Sequence, residues 1–145
     1  MVRILIGFIL SWLVAYAASV GFYTQQVLGG YKDLGLEISL SKGFATYTDN
    51  FIGQLSGVSF GAMFLIALAI AFLVAALLKR ALKPLAPIAY PVAGAAGIGG
   101  LLALIETLYP GVGVFGGART AVGFGLQMVA GLFGGIVFSL FARTR

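Results

Sequence analysis

The sequence contains no cysteine and no histidine. Those absences remove structural disulfides, Cys/His zinc sites, iron–sulfur clusters and His-ligated haem together, so no cofactor is expected. They also remove the base of a Ser–His nucleophile, and neither Ser11 nor Ser139 has a lysine placed to replace it. Charge is scarce as well: 9% of the 145 residues carry it, against about 25% in an ordinary soluble domain. General acid–base work wants a partnered carboxylate or a histidine. The apolar runs offer one acid, Glu106, and no base. An enzyme is not expected.

What the chain has in quantity is apolar length. It is 61% hydrophobic, with a mean hydropathy of +1.08. Four windows lack any Asp, Glu, Lys or Arg: Ile4 to Tyr31, Phe51 to Leu78, Pro84 to Ile105, and Thr120 to Ala142. Each exceeds the roughly 20 residues that a helix needs to cross ~30 Å of hydrocarbon. The expected fold is an all-α integral membrane protein: one domain, a four-helix transmembrane bundle with spans at about 4–23, 59–78, 88–108 and 120–141. One extracytoplasmic loop, about 24–57, joins the first two.

The formal net charge is +5, and its distribution is a topology signal, not a nucleic-acid footprint. Arg3, Lys79, Arg80, Lys83, Arg143 and Arg145 flank helix ends on one side of the four-span plan. Lys32, Lys42 and Arg119 fall on the other, together with all four acids, Asp33, Glu37, Asp49 and Glu106. Lys and Arg concentrate on the cytoplasmic side of short-looped membrane proteins. Both termini are therefore expected in the cytoplasm of a bacterial-type inner membrane, with the basic side near anionic lipid.

The first apolar stretch competes with a secretory signal, because Ala15-Tyr16-Ala17 resembles a small-x-small cleavage site. Its apolar core runs past that site to Phe22, longer than the 7–15 residues usual in signals, which favours an uncleaved helix. Ser11, Ala15 and Ser19 mark a packing face on it, and Gly29-Gly30 are expected to end it. In the loop, Leu36-Glu37-Ile38-Ser39-Leu40-Ser41 alternates apolar and polar residues, and Phe44 to Thr48 are strand-friendly. A short β-hairpin and an irregular loop both fit, with Asp49 or Asn50 capping a helical segment at 51–55. An isolated hairpin is marginal in water, which makes Leu36, Ile38 and Phe44 candidates for contact with a partner.

The second span has no polar group after Ser59 and is expected to be the most lipid-exposed. The third opens among Pro84, Pro87 and Pro91, and Pro91 would kink a helix that began at Pro87. From Gly94 to Gly135 the chain carries thirteen of its 22 glycines. Gly94 and Gly97 in the third span, and Gly123, Gln127, Gly131 and Gly135 at fourfold spacing in the fourth, mark helix-packing faces. In lipid such small-residue stripes let helix backbones approach closely. Glu106 and Arg119 flank the turn between these spans and are candidates for a hairpin-locking ion pair or an ion site. The turn itself reads Gly111-Val112-Gly113-Val114-Phe115-Gly116, a literal G-x-G-x-x-G. It lacks the preceding strand and the following acid that dinucleotide binding needs.

Gln127 is the strongly polar side chain near the centre of a span. One amide makes no selectivity filter unless an oligomer repeats it in a ring. The sequence thus favours a non-catalytic subunit, self-associating or accessory to a larger membrane complex. The alternative is a small oligomeric channel or carrier.

Overall fold

The computed structural model describes residues 2–56, 60–81, 84, 86–110 and 118–142. The G-x-G-x-x-G turn, Ser59, Lys83, Arg143 and Arg145 lie outside the described residues. Five helices follow one another: α1 (Val2–Asp33), α2 (Leu40–Ser56), α3 (Phe60–Ala81), α4 (Ala89–Leu108) and α5 (Ala121–Ala142). Four of them, α1, α3, α4 and α5, are long and apolar enough to cross a membrane.

The spans pack up and down. Arg3 donates to the Leu140 carbonyl (3.2 Å), and Ser11 to that of Gly134 (2.7 Å), so α1 and α5 are antiparallel. Tyr90 and Gly94 of α4 lie against Gly135 and Gly131 of α5. Phe72 and Lys79 of α3 lie against Tyr90 of α4. Helix α5 therefore sits between α1 and α4, and α3 completes the ring. The start of α1, the end of α3, the start of α4 and the end of α5 share one end of the bundle.

Aromatic side chains fill the space that remains between α1 and α3. Phe72 stacks on Phe138 at 4.5 Å, with Phe8 and Tyr90 edge-on to the pair. Trp12 and Tyr16 pack over α3, and the Trp12 indole N–H donates to the Gly61 carbonyl (2.8 Å). An indole buried in hydrocarbon needs such a partner.

The loop expected between the first two spans is helical, and this is the main correction to the sequence reading. Among the described residues there is no strand. Helix α1 runs through Gly29-Gly30, whose glycines meet no neighbouring element, and is about 48 Å long at about 1.5 Å per residue. It ends at Gly35, which has a φ of +77°. There the Gly35 N–H bonds to Lys32 and the Leu36 N–H to Tyr31, the two bonds of a Schellman cap. Ser39 then caps α2, its hydroxyl accepting from the Lys42 N–H (3.3 Å).

Thr46 and Thr48 look like strand residues in sequence. In α2 their hydroxyls bond back to the carbonyls of Lys42 and Phe44, which accommodates them in a helix. Gly43, Tyr47 and Phe51 recur at fourfold spacing and dock α2 on α1, so tertiary contact overrides the strand-friendly residues from Phe44 to Thr48. Asn50 caps nothing; it lies inside α2 and donates to the Thr24 hydroxyl (3.0 Å).

Helix α4 starts at Ala89, so Pro91 falls in the first turn, where its missing N–H has no intrahelical acceptor to leave empty, and it breaks no bond. Helix α3 keeps a broad apolar face uncovered, with Ile66, Ile70, Leu73 and Leu77 all exposed. Phe60, Phe64, Leu68 and Phe72 turn one i, i+4 face of α3 into the core.

Candidate functional site

Among the described residues, the buried polar side chains Ser11, Ser19 and Gln127 lie along one seam, where α1 meets α5, while buried Thr24 accepts from Asn50 of α2. Ser11, Ala15 and Ser19 of α1 face Gly134 and Gln127 of α5, all of them buried. Small residues bring the backbones together: a Cβ on Gly134 would stand 2.9 Å from both the Ala15 Cβ and the Ser11 carbonyl oxygen. Into that narrow contact Ser11 donates its hydroxyl to the Gly134 carbonyl. The Ser19 hydroxyl donates to the Gln127 side-chain oxygen, and the Gln127 amide donates to the Ser19 carbonyl (3.3 Å).

Gln127 is 3% exposed and Ser19 is 1% exposed. Both ends of the amide are satisfied, and among the described residues no buried side-chain N or O lacks a partner. The seam can therefore hold two helices in one register. It presents no polar group to a pathway.

The glycine stripe on α5 is used within the chain. Gly131 and Gly135 face Gly94 and Tyr90 of α4, with backbone against backbone. Gly97 faces the other way, toward α3, its absent Cβ 2.7 Å from the Cβ of Ala71. Gly123 is buried in the first turn of α5, where its N–H bonds to the Thr120 hydroxyl (3.0 Å) that caps the helix.

Glu106 and Arg119 fall at the same end of the α4–α5 hairpin, in the register that Gly94–Gly131 sets, and both are exposed. Among the described residues no three acidic, cysteine or histidine side chains come together as metal ligands.

Of the three residues marked for partner contact, Leu36 and Phe44 are exposed and Ile38 is half-buried. Phe44 belongs to a larger feature that the strand reading concealed. At about 100° per residue, the exposed Leu40, Phe44, Ile52 and Leu55 fall on one flank of α2 together with Ser41 and Thr48, and Lys42, Asp49 and Ser56 on the other. Reading 40–56 with a helical period would have found it. On the inner face the Tyr47 hydroxyl donates to the Ala17 carbonyl (3.1 Å). Burial pushes the pKa of that phenol up, so it stays a donor.

Fold and site together define an all-α, multi-pass membrane protein whose buried polar groups among the described residues are spent on helix packing. Compared with known proteins, the chain matches no family model, no curated protein and no solved structure.

Proposed function

We propose that the protein is a non-catalytic integral membrane subunit, self-associating or accessory to a larger complex, in a bacterial-type inner membrane with both termini cytoplasmic. The observation that carries this reading is the outward apolar flank of α2. Leu40 is 95% exposed and Phe44 is 74% exposed, on a helix that is itself docked to α1 through Tyr16, Tyr47 and Asn50. A docked helix that keeps large apolar side chains uncovered has a surface to offer to lipid or to another protein. The basic end shared by Arg3, Lys79 and Arg80 supports the orientation.

The channel alternative needs Gln127 to face a solute. Its burial against Ser19 weighs against that role. Reconstitution in liposomes separates the two readings. A subunit is inert as the isolated protein, and a photo-crosslinking side chain at Phe44 captures one discrete partner band, or a dimer of itself, in native membranes. Selective flux through the purified protein, abolished by Gln127→Leu, would overturn the subunit reading.

A further inference from the structure

A second feature lies on the opposite side of the bundle, between α3 and α4. Gly97 of α4 approaches Ala67 and Ala71 of α3 closely. The two helices border an open groove of about 670 Å³ there, within the ~300–1,000 Å³ range of small-molecule sites. Its floor is made of small residues of α4, Ala93, Ala96, Gly97 and Gly100, and Ile66 and Ile70 of α3 form one wall. Apart from Lys79 at one end, every lining side chain is apolar.

The described charges at that end of the bundle are of one sign: Lys79 and Arg80 fall in the last turn of α3 and Arg3 at the start of α1, whereas Asp33, Glu37, Asp49 and Glu106 belong to the far ends of their helices or to α2 and the α1–α2 turn. Lys79 holds its ammonium 5.0 Å above the Tyr90 ring, and among the described residues neither Lys79 nor Arg80 has an acidic partner. An aromatic face orients a cation without neutralising it, which leaves the charge available to an anion.

We propose that this groove binds an anionic phospholipid, with an acyl chain laid along Gly97 and Gly100 and the phosphate held by Lys79, the basic residue of the lining, with Arg80 beside it in the last turn of α3. A zwitterionic lipid offers the same chain, but its own ammonium competes with the two basic side chains. The groove is therefore selective by headgroup. Two basic groups near a membrane surface supply a preference of roughly 30-fold. This site is independent of the α2 flank and of the subunit reading.

The test uses the full-length protein reconstituted in vesicles of equal phosphatidylglycerol and phosphatidylcholine, extracted gently, with the retained lipid identified by native mass spectrometry. Phosphatidylglycerol should be retained over phosphatidylcholine by roughly 30-fold. The double variant Lys79→Gln/Arg80→Gln should bring the two lipids to parity, while Lys79→Arg keeps the preference. Gly100→Leu fills the groove without a clash, because a Cβ at Gly100 meets nothing within 4 Å. It should lower retention of both lipids with the helical content unchanged.

Equal retention of the two lipids by the native protein would overturn the proposal. So would a preference that survives the double variant. A dimer in lipid-free detergent that Gly100→Leu converts to monomer would also overturn it, by showing that a second copy fills the groove.

Discussion

Gly94 of α4 and Gly131 of α5 face each other so closely that a methyl group on either would run into the other's carbonyl oxygen. Where two helices meet backbone to backbone, attraction comes from many short van der Waals contacts, since lipid removes the hydrophobic drive between apolar helices. The α4–α5 hairpin therefore depends on residues that have nothing to give except their small size.

The same helix supplies its own control. Gly131→Ala should lower stability by about 1–3 kcal/mol through overpacking. Gly125→Ala, at a position where a Cβ would meet nothing within 4 Å, should be neutral or stabilising by up to about 1 kcal/mol, the helix propensity gained. Thermal unfolding of both variants in one detergent checks the contrast. Equal midpoints would show that α4 and α5 are not in contact at Gly131.

The α1–α5 seam predicts an asymmetry between two partners of one hydrogen bond. Ser19→Ala strands the buried Gln127 oxygen, a penalty of about 1–3 kcal/mol. Gln127→Leu is milder, because the Ser19 hydroxyl can turn to the carbonyl four residues back in its own helix. The double variant should cost no more than Gln127→Leu alone, since removing both partners leaves nothing unsatisfied. A cycle additive within about 0.3–0.5 kcal/mol would refute the coupling.

The four spans are legible in the sequence because length and apolarity alone set them: no run short of about 20 residues crosses the hydrocarbon. The packing face of α1 is legible too, as Ser11, Ala15 and Ser19 repeat every four residues. The α2 helix is not, because Phe44 to Thr48 are strand-friendly residues, and the docking of Tyr47 and Phe51 on α1 decides otherwise. Gly29-Gly30 mislead for a related reason. Glycine permits a break without requiring one, and the cap that stops α1 needs the positive φ found at Gly35. The division of the glycines between partners, Gly94 toward α5 and Gly97 toward α3, is a three-dimensional fact that spacing does not contain.

Glu106 and Arg119 bracket the α4–α5 turn as exposed side chains. Exposed ion pairs are worth about 0–1 kcal/mol even when formed. In a double-mutant cycle of Glu106→Gln and Arg119→Gln, coupling should therefore stay within the additivity error of about 0.3–0.5 kcal/mol. Coupling well above that value would establish the hairpin-locking pair, and charge exchange between the two positions would then recover the loss.

The last prediction joins topology to the position of α2. The chain has no cysteine, so single cysteines can be labelled in intact cells without background. With the basic end cytoplasmic, a membrane-impermeant maleimide should modify Ser41→Cys and spare Ala81→Cys. Helix α2 adds a finer test. Its second half is bonded to Tyr16 and Ala17, residues well inside the apolar length of α1, so it descends beside a span and does not project into water. Its two flanks should then differ. Asp49→Cys, on the polar flank, should label nearly as fast as Ser41→Cys, whereas Ile52→Cys, on the apolar flank, should be shielded. Fast labelling of Ile52→Cys would put that flank in water and refute its burial in lipid or under a partner. If it is shielded in native membranes but exposed in detergent micelles of the purified protein, a partner and not the bilayer is what covers it.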